Sequence, residues 1–193
     1  MRSLFSVLHI FGESTKCDAK ELLFFSLFSF FNNRMKILFV CLGNICRSPA
    51  AEGIFTNLIE IHGLGQSVSC DSAGTSGYNE GDGAWPKMKN IAWKRGYKLT
   101  SISRRINPQH DFGYFDLIIG MDEQNIRDLT RMAPTGKHKE KICRMTDYCT
   151  RLNNTVVPDP YYGDTKDYEL VLDILEDACE GLIEKIKATG RDL

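Results

Sequence analysis

The sequence predicts an α/β fold: one domain with a four-stranded parallel sheet and helices on both faces. Three observations predict it. Short runs rich in β-branched and aromatic residues alternate with stretches of helical periodicity from Met35 onward. The first and third runs have continuous apolar stretches, Ile37 to Cys41 and Leu117 to Met121, which is the pattern of strands covered on both faces. No internal repeat or low-complexity linker interrupts the alternation.

The elements follow in order. Lys36 to Cys41 is an apolar run ending at Gly43-Asn44 and reads as a buried strand. A helix comes next, with Ser48 as its expected N-cap and Pro49 at its first position, where a missing N–H costs nothing. Ile54, Phe55, Leu58 and Ile61 fall at helical spacing and form its expected buried face. Ser67 to Asp71 reads as a second strand, followed by a loop from Ser72 to Gly83. Trp85 to Gly96 reads as a helix closed by a glycine. Asp116 to Met121 is a third strand and Asp122 to Met132 its helix, while Lys141 to Met145 is a weaker fourth strand. The last helix, about Asp167 to Lys187, has the clearest period, with Val171, Ile174, Leu175, Ala178, Leu182 and Ile186 on one face.

Composition narrows the function. The 193 residues, 42% hydrophobic and 25% charged, suit one globular domain with a sizeable core. A net charge of -1 provides no bulk positive field for nucleic acid or an anionic membrane, so any phosphate recognition has to be local. Seven cysteines, an odd number in a chain too long to need disulfide staples, point to a reducing, cytoplasmic compartment.

Residues 1–34 read differently from the rest. Seven of the eleven phenylalanines crowd there, and composition changes at Met35. The apolar run Leu22 to Phe31 is about half the length a membrane-spanning helix needs. Acidic residues precede it and no small-residue cleavage site follows, against a signal peptide. The expectation is a start assigned too early or a poorly ordered appendage, with a membrane-surface anchor as the alternative; residues 35–193 form the domain.

The chemistry concentrates at Val40-Cys41-Leu42-Gly43-Asn44-Ile45-Cys46-Arg47-Ser48-Pro49, between the first strand and its helix. Ligands of parallel sheets bind beyond the carboxyl ends of the strands, which is where this segment falls. Gly43 and Asn44 are the residue types that best tolerate the positive φ of a tight anion-cradling loop. Such a loop points backbone N–H groups inward and, with the helix dipole, binds a tetrahedral dianion. Leu42, Gly43, Asn44, Ile45, Cys46 and Ser48 would supply that cradle, and Arg47 a planar fork for two phosphate oxygens. Cys41 would lie beneath the phosphorus, where the same groups favour the nucleophilic thiolate. Ser48 can donate to that thiolate as well as cap the helix. The blander alternative is that Cys41 and Cys46 are ordinary buried cysteines. Cys46 could also trap Cys41 as a reversible disulfide.

Hydrolysis of a phosphate ester needs a proton for the leaving oxygen. Asp159, set between Pro158 and Pro160 and followed by Tyr161 and Tyr162, is the candidate donor, with an ordinary turn aspartate as the alternative. No metal ion or cofactor is expected in this scheme.

These residues resemble the low-molecular-weight protein tyrosine phosphatases. The resemblance extends from Met35 to about Lys187 and rests on VCLGNICRSPAAE (Val40 to Glu52), DSAGTSG (Asp71 to Gly77), MDEQNIRDL (Met121 to Leu129) and DPYYG (Asp159 to Gly163). It implies the family's fold, a cysteinyl-phosphate on Cys41, phosphate binding by Arg47 and general acid–base action by Asp159. It further implies that Asn44 and Ser48 hold the loop and thiolate, that Asp122 supports the site, and that Tyr78, Tyr161 and Tyr162 line or rim the pocket. Trp85-Pro86 falls where family sequences vary and inherits no role. Ile45 resembles the tyrosine-specific members, whereas phosphoarginine-specific relatives carry threonine there. The implied substrates are phosphotyrosine proteins, a bacterial tyrosine kinase among the candidates. A thioredoxin-coupled arsenate reductase is the closest rival, but it needs two further cysteines near the third strand, and Asp116 to Arg127 contains none. A phosphoarginine phosphatase and a catalytically silent phosphate-binding or redox-signalling protein are the other rivals.

Overall fold

In the computed structural model, residues 34–189 are described. The reading of residues 1–34 as an appendage lies, apart from Arg34, outside them. Four strands, β1 (Met35–Cys41), β2 (Val68–Gly74), β3 (Leu117–Gly120) and β4 (Ile142–Arg144), form one sheet in the order β2-β1-β3-β4. All three pairings are parallel. The helices are α1 (Arg47–Ile61), α2 (Pro86–Lys94), α3 (Asp111–Tyr114), α4 (Glu123–Met132), α5 (Gly136–Lys139) and α6 (Thr165–Ala188), with a 3-10 turn at Met145–Tyr148.

The central strand shows why the apolar runs were continuous. Ile37 and Phe39 face a large core shared with α1, α2 and α6, whereas Leu38 and Val40 face a smaller one with Phe112 of α3 and Leu129 of α4. Alternate side chains of one strand thus fill two different cores. All six periodic residues expected on the last helix, Val171 to Ile186, are buried there.

Several sequence expectations need correction. The N-cap of α1 is Cys46, and Ser48 and Pro49 are the second and third residues of the helix. The Ser48 hydroxyl caps no amide of the helix; it lies against Cys41 Sγ and accepts from Asn44 in the loop before it. Ile61 is 68% exposed, and Ile59 takes the buried place instead. β2 runs on through Ser72, Ala73 and Gly74, which the sequence had placed in a loop. Its extension pairs Ala73 with Val40 and Gly74 with Cys41, so it stiffens the base of the candidate site. α3, α5 and the 3-10 turn were not anticipated; each is a single turn, too short to show a period. The helix expected at Trp85 to Gly96 begins at Pro86 with Trp85 as N-cap, and Gly96 at φ +90 follows its end as expected.

Asp177, on α6 and fully buried, fixes the start of the long loop after the 3-10 turn. Its carboxylate accepts the backbone N–H groups of Thr150 at 3.2 Å, Arg151 at 3.1 Å and Leu152 at 2.8 Å. Burial alone would raise its pKa, but the N–H bonds from Leu152, Arg151 and Thr150 outweigh burial and push it down to about 2. Because the folded value lies below the ordinary one of 3.8, this stabilisation is present above about pH 4 and is lost as pH falls through about 2. We expect Asp177→Ala to cost on the order of 2 kcal/mol at neutral pH and to flatten the acid limb of the stability curve. Urea denaturation of both proteins across that pH range checks it, and parallel acid limbs would refute it.

Candidate active site

The segment from Cys41 to Arg47 leaves the carboxyl end of β1 and curls into the N-terminus of α1. Its carbonyls are held from outside. Cys41 O accepts from Thr75 N at 2.9 Å, Leu42 O from Ser76 N at 2.9 Å, and Ile45 O from Trp85 N at 2.7 Å. Gly43 O accepts from Asn79 Nδ2 and Ser103 Oγ, both at 3.1 Å. In a trans peptide the N–H points opposite to the C=O. Outward carbonyls at 41, 42, 43 and 45 therefore turn the amides of Leu42, Gly43, Asn44 and Cys46 inward, as an anion cradle requires.

The positive φ anticipated for this loop falls on Asn44, at +54, and not on Gly43. Asn44 is anchored there by its own amide, which donates to Ser48 Oγ at 2.9 Å and Ser72 Oγ at 2.8 Å and accepts from Arg104 N at 3.0 Å. Gly43 serves another purpose, because a Cβ there would lie 2.6 Å from Asn79 Nδ2. Gly74 is constrained more tightly, by backbone: a Cβ would meet Leu42 O and Ser76 O at 2.8 Å, so the β2 extension can back the loop only without a side chain. Ser72 Oγ donates onward to Glu52 at 2.5 Å, and burial raises the pKa of that carboxyl. Arg104, which holds Asn44, is itself gripped by Asp71 at 2.8 Å and Asp111 at 2.9 Å.

Cys41 and Arg47 share one bowl. Cys41 Sγ lies 3.1 Å from Ser48 Oγ. The Ser48 hydroxyl already accepts from Asn44, so its single hydrogen is available to the sulfur or, at 3.3 Å, to Ala73 O. Arg47 is 2% exposed and spans two carboxylates, with Nη1 at 2.5 Å from Asp122 and Nη2 at 2.6 Å from Asp159. Burial works against its charge, yet Cys41, Asp159 and Asp122 together hold its pKa above the ordinary guanidinium value. Its Nε is buried without a partner in the protein, a donor that an anion in the bowl would satisfy. Asp122 does two jobs, since the same carboxylate accepts Asn125 N at 2.7 Å and caps α4.

Asp159 reaches the bowl from the loop before α6. Val157, fully buried, donates its N–H to Met121 O at 2.8 Å and ties that loop to the end of β3. The cavity is about 460 Å³, with Cys41 and Arg47 among its lining residues and Ile45, Tyr78, Tyr161 and Tyr162 as its apolar and aromatic boundary. Tyr78 and Tyr162 are almost wholly exposed at its rim, and Tyr161 is partly exposed. Every site residue expected from the sequence is thus brought to this cavity, except Asn44 and Ser48, which stand behind it in the hydrogen-bond network. Cys46 lines the bowl, and its pKa is pushed up to about 12, chiefly by burial and further by Cys41 and Asp159, so it stays a neutral thiol near pH 7. The sequence reading missed Ser72, Asn79, Ser103 and Arg104, all of which brace the loop from β2 or the segments after it.

Comparison with known proteins agrees with this geometry. Residues 36–192 match the family described as low molecular weight phosphotyrosine protein phosphatase. A Synechocystis sp. protein named as a putative low molecular weight protein-tyrosine-phosphatase is 46% identical over 159 residues, 82% of this chain and 99% of its own length. The human low molecular weight phosphotyrosine protein phosphatase is 37% identical over 150 residues, 77% of this chain and 94% of its own. A crystal structure of a protein tyrosine phosphatase from Entamoeba histolytica superposes with a TM-score of 0.78 at 49% identity, covering 80% of this chain and 98% of that one. With the parallel sheet, the amide-lined bowl and a match over nearly all described residues, the chain belongs to the low molecular weight protein-tyrosine-phosphatase family.

Proposed function

We propose that the chain hydrolyses phosphotyrosine through a covalent phosphocysteine on Cys41. The observation that carries this reading is that Cys41 Sγ and the Arg47 fork lie in one bowl, with the Asp159 carboxyl 2.6 Å from the Arg47 guanidinium. The dianion sits among the inward amides of Leu42, Gly43, Asn44 and Cys46 and the Arg47 donors. The bound dianion takes over the Arg47 Nη2 donor, and Asp159, freed from that ion pair, picks up a proton from solvent. The Cys41 thiolate attacks phosphorus, the P–O bond to the aryl group breaks, and Asp159 gives that proton to the departing phenolate oxygen. Asp159, now a carboxylate, takes a proton from water as that water attacks phosphorus. The P–S bond breaks, and inorganic phosphate and the thiolate are released. Ser48 donates to the thiolate in both steps, and Asp122 holds the Arg47 fork.

The same reading covers specificity. Ile45 and the tyrosine rim give the bowl apolar and aromatic sides on which a phenyl ring buries area that a serine ester cannot offer. Substrates are phosphotyrosine-bearing proteins of the cytoplasm, a bacterial tyrosine kinase among the candidates. Among the described residues no helix is long and apolar enough to cross a membrane.

Two measurements test this reading. Phosphotyrosine is expected to turn over in preference to phosphoarginine, and the reverse preference would move the chain to the other substrate class. Asp159→Ala is expected to lower kcat/KM for phenyl phosphate by about 10²-fold and for dinitrophenyl phosphate far less, because dinitrophenolate leaves without a proton. Equal losses on both esters would remove Asp159 from the acid role.

A further inference from the structure

We infer that the first turn of α2 is a clamp that sets the distance between the phosphate loop and the acid loop, with Trp85 and Lys87 as positioning residues for Asp159. The inference rests on the reading of Asp159 as the general acid.

A carboxyl can protonate a leaving oxygen only from within hydrogen-bond reach, and a displacement of about 1 Å can cost up to about 10²-fold. Yet residues 149–164, which carry Asp159, contain no helix or strand. Long irregular segments of this kind move unless something ties them down. Ahead of Asp159 the ties are the Asp177 carboxylate at the start of the segment, the Val157 N–H bond to Met121 O, and the Arg47 Nη1 bond to Val157 O at 3.3 Å.

Beyond Asp159 the ties lead to α2. The Trp85 indole packs on the Tyr161 ring with centroids 5.0 Å apart. Lys87 Nζ donates to Gly163 O at 2.9 Å. The same ammonium lies 4.6 Å from the centre of the Tyr168 ring, and the Tyr168 hydroxyl donates to Tyr161 O at 3.3 Å. Tyr168 is fully buried, so it is a fixed point, and Tyr161 N returns a bond to Asp159 Oδ1 at 3.2 Å. The Asp159 side chain is therefore linked through Tyr161 to both Trp85 and Tyr168.

The other half of the clamp is the backbone of Trp85. Its N–H donates to Ile45 O, one of the outward carbonyls that shape the phosphate bowl. Trp85 is at the same time the N-cap of α2, and its carbonyl accepts Lys89 N at 2.9 Å, so it is part of a rigid helical turn. One residue thus grips the phosphate loop with its amide and the acid loop with its ring. Helical elements hold reacting groups more precisely than loops do.

The test is kinetic and uses the full chain. For esters that share one phosphoenzyme, the second step is common, so a dependence on leaving group belongs to the first. Trp85→Ala and Lys87→Met are each expected to lower kcat/KM for phenyl phosphate about 10-fold, with under about 2-fold change for dinitrophenyl phosphate. Trp85→Phe keeps a ring against Tyr161 and should restore most of the loss. Where Trp85→Ala does not fold, Lys87→Met and Trp85→Phe still decide. Equal losses on both esters, or none on either, would overturn the clamp. Asp159→Ala measured beside them separates the two readings. If it is selective while the Trp85 and Lys87 variants are not, only the clamp fails; if it is itself unselective, the acid assignment fails and the clamp with it.

Discussion

Cys41→Ser should abolish hydrolysis of every phosphate ester, by at least about 10⁴-fold, while the protein stays folded and still binds phosphate. Serine is nearly isosteric, and a hydroxyl 3.1 Å from Ser48 Oγ can keep the hydrogen bond that the sulfur makes. Stability should therefore change by no more than about 1 kcal/mol. The hydroxyl is not ionised near neutral pH, however, and a neutral hydroxyl is a far weaker nucleophile than a thiolate, so the attack on phosphorus is lost. Turnover of phosphotyrosine, thermal melting and calorimetric titration with phosphate check the three parts. Residual activity of a few per cent would place the nucleophile elsewhere.

Arg47→Lys should lower kcat/KM by about 10³-fold on all esters alike, because a point charge cannot replace a planar fork aimed at two phosphate oxygens. The uniform loss is the mark that separates it from Asp159→Ala, whose effect depends on the leaving group. Arg47 also joins α1 to Asp122 at the start of α4 and to Asp159 on the acid loop. Both carboxylates are partly exposed, at 26% and 43%, so water can rehydrate them when the guanidinium is shortened. The stability cost should accordingly stay near about 1–2 kcal/mol, below that of breaking a fully buried pair. Steady-state kinetics with both esters and a thermal melt check it. A loss confined to phenyl phosphate would assign Arg47 to proton delivery instead of phosphate binding.

Much of this protein was legible before any coordinates. The phosphate loop could be read because its parts are contiguous: a strand end, Gly43-Asn44, Arg47 and a helix start occupy one short segment. The parallel sheet could be read because β1 is apolar from Ile37 to Cys41 without a break, and the last helix because its period runs unbroken through six buried residues. Where a short pattern had two meanings, the sequence misled. Ser48 before Pro49 looks like an N-cap, yet the hydroxyl faces Cys41 Sγ and Cys46 takes the cap position. A side chain capping the helix would compete for amides that the anion needs. β2 was cut short because Ser72, Ala73 and Gly74 have weak strand preference, and pairing with Val40 and Cys41 overrides it.

The sequence by itself determined the chemistry: a thiol, a guanidinium and a carboxyl, set in local patterns that dictate a loop, a helix start and a rigid turn. Only the tertiary structure decided how those groups are held. The bonds that turn the loop carbonyls outward come from Thr75, Ser76, Asn79, Trp85 and Ser103, and the ties on the acid loop come from Met121, Lys87 and Tyr168. All but Tyr168, seven residues from Tyr161, lie tens of residues from the groups they hold, and no local spacing encodes which amide will meet which carbonyl once the sheet and helices pack.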